Sequence, residues 1–266
     1  MIAPAPAKIN LALVVGPLRD DRHDLHTIYQ RVDLCDRISV EPAASTTVAG
    51  FPDDTIVRAA LEALDAPVGW RVRIEKHIPL AAGLGGGSSD AATALRLANE
   101  QLADPRPLED LHAIAAELGA DVPFFLYDGP QLGTGDGTTV EPIDLPQTFS
   151  VLLLLPHGAS KASTGKVYAA FDRRGGEEGY DERVAKLRDA VAAVREPRDL
   201  ARLPRNDLAS SPHAEALQHA GAFRADVSGA GPTLYGLFES HERAALAARN
   251  LAHLGRVWVT YPAWYG

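Results

Sequence analysis

The chain has 266 residues, which is enough for one large domain or two smaller domains with buried cores. Its composition, 46% hydrophobic and 23% charged, is typical of a soluble globular protein, and the net charge of −9 argues against a nucleic-acid-binding protein. A single cysteine, Cys35, excludes an internal disulfide. The sequence has no run of membrane-spanning length and no signal-peptide pattern at its N-terminus, so we expect a cytoplasmic protein without membrane or nucleic-acid partners.

The first predicted element is a strand over residues 7–15, whose apolar residues alternate onto one face. Lys8 and Asn10 lie side by side on the opposite face. A solvent-exposed strand edge would explain Lys8, but asparagine is poorly suited to strand interiors. The alternative interpretation is that the two polar groups line a cleft.

Two more strands are predicted over residues 25–34 and 36–41, and residues 43–51 are predicted to be a loop or hairpin end. Residues 54–64 have the apolar spacing of a helix, and either Asp53 or Asp54 is expected to cap it.

Residues 70–78 alternate apolar and charged side chains, as a half-buried strand requires, and residues 91–102 have helical spacing. The segment that connects them carries four glycines within five residues, followed by Ser88, Ser89 and Asp90. At such a strand-to-helix junction the first amide groups of the helix have no intrahelical partner and the helix dipole favours an anion. Glycine also lets a phosphate approach the backbone closely. This pattern favours a phosphate-binding loop.

A flexible turn whose serine caps the helix is the alternative interpretation of the same segment. The segment is not a Walker A loop, because no Gly-Lys-Ser/Thr follows at the required spacing. It also fails the Rossmann fingerprint, because Ser88 stands where the third glycine should be.

A helix is predicted over residues 108–118, ending at Gly119. Asp121 follows it, two residues before Pro123. By position, Asp121 is equally suited to capping the next short helix and to catalysis. Residues 133–137 form a glycine-rich sequence that predicts a tight turn.

The C-terminal part of the chain is predicted to begin with a buried strand, and we place the domain boundary beside it, giving domains 1–148 and 149–266. Residues 158–179 are predicted to be irregular. The remaining order of strand, helices, strand, strand, helix and strand suggests a split βαβ sandwich. The predicted strands are 149–155, 223–228, 233–238 and 256–261, and the predicted helices are 182–194, 210–219 and 240–254.

Residues 6–11 (PAKINL), 79–89 (PLAAGLGGGSS) and 227–233 (VSGAGPT), in this order and spacing, resemble the three motifs of the GHMP kinases. This superfamily comprises galacto-, homoserine, mevalonate and phosphomevalonate kinases. Residues 119–124 (GADVPF) and 206–208 (NDL) are most similar to the branch of the superfamily that phosphorylates 4-diphosphocytidyl-2-C-methyl-D-erythritol. The likeness extends over nearly the whole chain.

The resemblance implies a small-molecule kinase that transfers phosphate from ATP, with Mg²⁺, to the 2-hydroxyl of this cytidine-diphosphate substrate in isoprenoid synthesis. It also implies an α+β, two-domain GHMP kinase fold, with an N-terminal α/β domain similar to ribosomal protein S5 domain 2 and a ferredoxin-like C-terminal domain. The active site would lie between the domains. We expect a monomer or a homodimer, and the metal ligands are left open.

The family's site residues carry over to positions that match its motifs. The active-site pair would be Lys8 and Asp121, with Asp121 taking the proton of the acceptor hydroxyl and Lys8 keeping Asp121 ionised. Substrate would be bound by Asn10, His23, Tyr168 and Gly229. ATP would be bound by Pro79, Leu80, Ala81, Ala82, Gly83, Leu84, Gly85, Gly86, Gly87, Ser88 and Ser89.

Two positions depart from the family pattern. The family's Asp-Gly-Tyr-His, whose tyrosine stacks on the cytosine, is replaced by residues 20–23, which put Arg22 in place of the tyrosine. A guanidinium can also stack on a base. A later Ser-Thr-Pro appears as Ser163, Thr164 and Gly165. Two alternatives stay open: a GHMP kinase acting on mevalonate, homoserine or a sugar, and a nucleotide-binding protein without kinase activity.

Overall fold

The structure is a computed structural model and describes residues 1–51, 54, 56–159 and 164–263. The first half of the chain forms a mixed sheet with helices packed against it. Its elements are β1 (Ile2–Arg19), β2 (Arg22–Ala43), β3 (Thr47–Ala49), α1 (Ile56–Ala63), β4 (Gly69–Glu75), α2 (Gly86–Asn99), α3 (Leu108–Leu118), a 3-10 helix (Pro123–Leu126), β5 (Gln131–Thr134) and β6 (Thr139–Pro142).

The second half forms a separate four-stranded sheet with helices. Its elements are β7 (Ser150–Pro156), α4 (Thr164–Arg173), α5 (Tyr180–Ala193), a second 3-10 helix (Pro197–Arg202), α6 (His213–His219), β8 (Arg224–Val227), β9 (Leu234–Phe238), α7 (His241–Leu251) and β10 (Gly255–Thr260). None of the helices within the described ranges is long and apolar enough to cross a bilayer.

In the first sheet the strands are ordered β3-β4-β2-β5-β6, and β1 pairs with β2. The β1–β2 hairpin runs antiparallel along most of both strands, with three register shifts. One shift separates Asn10 from Ala12 and bends β1 beside the residues that line the site. In β4 the apolar residues Trp70, Val72 and Ile74 are buried, as the alternation predicts.

The second sheet has the order β10-β7-β9-β8, with all neighbours antiparallel. Numbered within this half, the order is 4-1-3-2, which is the ferredoxin-like arrangement that the order of elements predicts. The chain passes from the first sheet to the second in the connection between Pro142 and Ser150. The predicted boundary after residue 148 lies in this connection and stays a prediction.

A hydrophobic cluster joins the two halves of the molecule. It contains Ile9 and Ile28 from the first sheet together with Val151, Leu153 and Tyr235 from the second, all of them buried. A separate cluster packs α1, α2 and α3 against the first sheet, and another packs α6 and α7 against the second.

The predicted helix over residues 108–118 is confirmed, with Gly119 at its C-cap. The predicted cap at Asp54 is also confirmed, because its carboxylate accepts the amides of Val57 (3.3 Å) and Arg58 (3.2 Å), whereas Asp53 lies outside the described residues. The expectation of an irregular segment over residues 158–179 is wrong, because it contains α4. The segment 43–51 is also not entirely loop, since β3 pairs in parallel with β4.

Candidate active site

A cleft of about 380 Å³ is lined by residues from both halves of the chain. The predicted site residues that line it are Lys8, Asn10, Asp121, Tyr168, Gly229 and the segment from Pro79 to Ser88. His23 and Ser89 are the predicted site residues that do not line it. The structure therefore brings together most of the residues that the three motifs single out.

Backbone carbonyl groups of the glycine segment accept hydrogen bonds from β1 and from the third motif (residues 227–233). The Ala82 carbonyl accepts the Thr233 amide (3.2 Å), the Gly83 carbonyl accepts the Ser228 hydroxyl (3.1 Å), and the Leu84 carbonyl accepts the Lys8 amide (2.9 Å). Three consecutive carbonyls thus bond to protein. The opening amides of α2 have no intrahelical acceptor.

Gly83 and Gly85 adopt the left-handed conformation, with φ of +79° and +71°. A Cβ at Gly83 would lie 2.7 Å from the carbonyl oxygen of Ser228 and 2.8 Å from that of Gly231. The loop therefore needs glycine at this position both for its backbone angle and for the close approach of the 228–231 turn.

The two serines after the glycines are placed differently from each other. Ser88 lies in the first turn of α2 and lines the cleft. Ser89 is fully buried, its amide donates to the Gly85 carbonyl (2.9 Å), and its hydroxyl has no hydrogen-bond partner among the described residues. Only Ser88 has the exposure that a phosphate contact through a side chain requires.

Lys8 and Asp121 form an ion pair at the cleft wall, with 3.2 Å between Lys8 Nζ and Asp121 Oδ2. Lys8 is buried, so the solvent-exposed edge is the wrong interpretation of this residue. The ammonium also donates to Asn10 Oδ1 (2.7 Å), and Asn10 donates through Nδ2 to the Thr27 hydroxyl (2.8 Å). Asn10 therefore orients the lysine, while a third of the Asp121 side chain (33%) stays exposed to the cleft.

Asp121 does not cap the helix that follows it. The N-cap of the 3-10 helix Pro123–Leu126 is Val122, and no side chain caps this helix. The capping interpretation is therefore wrong, since the carboxylate faces Lys8, and the catalytic role of Asp121 stays a prediction.

Gly229 lies directly against the Lys8–Asn10 pair. A Cβ added to it would be 3.3 Å from Asn10 Oδ1 and 3.5 Å from Lys8 Nζ. Asn206 holds this turn in place by donating through Nδ2 to the Val227 carbonyl (2.9 Å) and the Gly229 carbonyl (2.6 Å). Asn206, the first residue of the NDL sequence, thus fixes the backbone of the third motif, residues 227–233.

A buried charge network beneath the glycine segment was not predicted from the sequence. Lys76 pairs with Asp36 and, at 2.7 Å, with Asp90 Oδ2, and its ammonium lies 3.3 Å from where a Cβ of Gly86 would be. Burial raises the pKa of Asp90 to about 7, with Asp36 adding to the effect and Lys76 opposing it. Lys76 falls within the predicted strand 70–78 and Asp90 at the end of the glycine-rich segment, and nothing in the sequence indicates that the two pair.

His23 lies behind Tyr168 at one end of the cleft. The two rings stack with centroids 4.9 Å apart, and His23 Nδ1 contacts the Gly16 carbonyl oxygen at 2.8 Å. Arg22, which replaces the family tyrosine, pairs with Asp136 across the cleft rim. Ser163 lies outside the described residues, and its neighbour Thr164 lines the cleft.

Several lining residues were missed. They are Leu13, Leu25, Tyr29, Ile56, Lys76, Ala120, Asp136, Thr164, Leu208 and Ala230. Four of them are hydrophobic residues in predicted strands or a helix (Leu13, Leu25, Tyr29 and Ile56), where no sequence signal separates a core position from a cleft wall. No group of three or more His, Cys, Asp or Glu in the described part of the chain is arranged to hold a metal ion.

The sequence matches two family descriptions, "GHMP kinases N terminal domain" at residues 54–129 and "GHMP kinases C terminal" at residues 214–257. The 4-diphosphocytidyl-2-C-methyl-D-erythritol kinase of Anaeromyxobacter sp. (strain Fw109-5) is 38% identical over 93% of this chain and 85% of the relative. The Deinococcus radiodurans enzyme of the same name is also 38% identical, over 96% of this chain and 89% of its own length.

Solved structures agree with the sequence relatives. A crystal structure of 4-(cytidine 5'-diphospho)-2C-methyl-D-erythritol kinase superimposes with a TM-score of 0.77 at 32% identity and covers 99% of this chain and 100% of that chain. A mevalonate kinase from Methanococcus jannaschii shares the fold, with a TM-score of 0.74 at 13% identity over 99% and 98% of the two chains. The molecule has the two-domain α+β fold of these kinases, and the chain belongs to the 4-diphosphocytidyl-2-C-methyl-D-erythritol kinase family of the GHMP kinases.

Proposed function

We propose that the protein transfers the γ-phosphoryl group of ATP to the 2-hydroxyl of 4-diphosphocytidyl-2-C-methyl-D-erythritol, giving the 2-phosphate and ADP. The observation that carries the proposal is the Lys8–Asp121 ion pair, which faces the glycine segment within one cleft. The 38% identity to curated kinases of this name over more than nine-tenths of the chain supports the choice of substrate.

Phosphoryl transfer depends mainly on positioning and on stabilising charge across the phosphate oxygens. The opening amides of α2 and the Ser88 hydroxyl are placed to bind the phosphates of ATP. The carbonyls of this segment are engaged by Thr233, Ser228 and Lys8, so the segment presents donors rather than acceptors to an anion.

At the acceptor hydroxyl, Asp121 takes the proton as the oxygen attacks the γ-phosphorus, and the bond from phosphorus to the β–γ bridging oxygen breaks. Lys8 stabilises the negative charge of Asp121 before the transfer and that of the developing alkoxide during it. Asn10 and Thr27 hold Lys8 in the required position through the chain of hydrogen bonds described above.

Mg²⁺ would accompany ATP and neutralise charge on its phosphates. Because no acidic or histidine cluster of the described residues can hold a metal, the ion would be bound mainly by phosphate oxygens, and the Ser88 hydroxyl is the side-chain oxygen of the glycine segment that would complete its ligands. This donor set fits Mg²⁺, which keeps several non-protein oxygen ligands.

Tyr168, stacked on His23 at one end of the cleft, is placed to bind the nucleobase. Arg22 is engaged by Asp136 at the rim, where the family has a stacking tyrosine. A planar guanidinium held in this way can take the place of an aromatic ring against a base.

The test is an ATP-consumption assay with four acceptors: 4-diphosphocytidyl-2-C-methyl-D-erythritol, methylerythritol phosphate, mevalonate and homoserine. Turnover with the cytidylylated compound alone is expected. Turnover with mevalonate or homoserine would overturn the substrate assignment while keeping the kinase chemistry. ATP binding without turnover of any acceptor would contradict the activity itself.

A further inference from the structure

His23 lies on β2, and three residues of α4 surround its ring. We propose that His23 is a positioning residue, which holds α4 against β2 and thereby keeps the Tyr168 ring at the cleft. The resemblance to the kinase family implies a different role, namely that His23 binds the substrate itself. The proposal rests on the function proposed above, because that function assigns the nucleobase to Tyr168.

One face of α4 is built around His23. The Tyr168 ring stacks on the imidazole, with centroids 4.9 Å apart and planes 24° apart. The Phe171 ring meets it edge-on, with centroids 5.8 Å apart and planes 89° apart. Asp172 Oδ1 lies 3.3 Å from His23 Nε2. Because residues three and four positions apart share a face of a helix, all three contacts are made together only when this face of α4 is turned toward β2.

The imidazole is engaged within the protein at both of its nitrogens. His23 Nδ1 lies 2.8 Å from the Gly16 carbonyl oxygen, which can only accept, so Nδ1 carries a hydrogen and donates. In the imidazolium form Nε2 also donates, to the Asp172 carboxylate. The residue is 8% exposed and does not line the cleft. Its ring nitrogens are therefore directed at protein oxygens and not at a nucleobase.

Few buried side chains fix the orientation of α4. Within residues 164–173, Phe171 is the one side chain that is fully buried. It packs in a small cluster with four other buried residues, Leu13, Val15, Leu25 and Leu208. A helix with a single buried side chain can turn about it, because few apolar contacts oppose the motion. The stacked Tyr168 and the paired Asp172 stand on either side of Phe171 in the chain, so their contacts with His23 oppose this rotation.

Asp172 distinguishes the positioning role from direct substrate binding. Its side chain is half-exposed (48%) and does not line the cleft, so it can affect an acceptor only through His23 and α4. Asp172→Ala is therefore expected to raise the KM for the cytidylylated acceptor about fivefold and to leave the KM for ATP unchanged.

His23→Phe keeps a ring beside Tyr168 and Phe171 but removes both nitrogens. It should raise the KM for the acceptor at least as much as Asp172→Ala does, again without changing the KM for ATP. The double variant should be no worse than His23→Phe alone, because its second change removes an interaction that is already lost.

The matched control is His26→Phe, which removes another histidine–tyrosine contact between β2 and a helix. His26 Nδ1 lies 3.0 Å from the Tyr180 hydroxyl of α5, and neither residue lines the cleft. Both KM values should stay at the wild-type level in this variant.

A second measurement needs no substrate. Hydrogen exchange of the ligand-free protein, followed by mass spectrometry, reports how firmly α4 is held. The amides of residues 166–173 should exchange several-fold faster in Asp172→Ala and in His23→Phe than in wild type. They should keep the wild-type rate in His26→Phe.

The inference is overturned if Asp172→Ala keeps the KM for the acceptor within about twofold of wild type. A raised KM in His23→Phe alone would then indicate that His23 binds the substrate directly. Exchange of the α4 amides at the same rate in wild type and both variants would also overturn it. If the wild-type protein does not phosphorylate the acceptor, the proposed function fails, and hydrogen exchange alone decides whether His23 holds α4.

Discussion

Gly83 offers a test of how the glycine segment is held against the C-terminal half. Gly83→Ala places a methyl group 2.7 Å and 2.8 Å from two backbone oxygens, neither of which can move as a side chain would. It also requires alanine to adopt a φ of +79°. The left-handed conformation costs about 1–2 kcal/mol and the overpacking about 1–3 kcal/mol, so we expect a loss of roughly 3 kcal/mol.

Gly87→Ala is the matched control, since it makes the same chemical change four residues later. At Gly87, φ is not positive and a Cβ would lie 3.7 Å from its nearest neighbour, Ile56 Cδ1, which is an ordinary contact. In the first turn of α2 alanine is also the better helix former, by about 0.5–1 kcal/mol. Gly87→Ala should therefore be as stable as wild type or more so.

Thermal unfolding followed by circular dichroism, with ATP affinity measured in parallel, separates the two variants. Gly83→Ala should lower Tm by roughly 6 °C or more, given about 2–4 °C per kcal/mol for a chain of this size class. Gly87→Ala should keep Tm but weaken ATP binding, because its methyl group stands on the exposed, cleft-lining side of the loop. Equal Tm values for the two variants would refute the argument that the close approach of the Ser228 and Gly231 carbonyls requires glycine at position 83.

Three more predictions concern the proposed catalytic pair, the buried charges and the proposed nucleobase end of the cleft. Asp121→Asn should lower kcat by about 10²-fold or more with ATP affinity unchanged, as measured by steady-state kinetics and calorimetry; retained turnover would mean that positioning alone suffices. The raised pKa of Asp90 means that the native state holds a proton which the unfolded state releases near pH 4, so wild-type stability should fall as the pH rises from about 4 to about 7. In Asp90→Asn this slope of Tm against pH should flatten, and an unchanged slope would contradict the assignment. Tyr168→Ala should raise the KM for the cytidylylated acceptor about tenfold but not the KM for ATP; equal changes in both would place Tyr168 elsewhere than at the nucleobase.

Elements with local signals could be predicted from the sequence. The helix 108–118 has regular apolar spacing and a glycine at its end, and the structure gives the same bounds. By contrast, α4 was missed because it buries a single side chain, Phe171, and contains Gly165. Little in such a stretch distinguishes a helix from a loop, since its position is decided by contacts with other parts of the chain.

The same limit applies to the site. The motifs pointed to Lys8, Asp121 and the glycine segment, and the structure brings them into one cleft. Tyr29 escaped notice because alternation along β2 assigned it only to a strand face. Its place in the cleft wall depends on Gly133, more than a hundred residues later, whose missing side chain makes room for the ring. Sequence periodicity cannot report a contact over this separation.

The hydrophobic cluster that joins the two sheets bears on how the molecule moves and unfolds. Ile9 and Ile28 pack in the same cluster as Val151 and Tyr235, so turning one sheet against the other would expose side chains that are buried now. The chain is therefore expected to melt in a single transition. Access to the cleft would then be governed by elements at its rim, such as α4, whose one fully buried side chain is Phe171, while the two sheets keep their relative position.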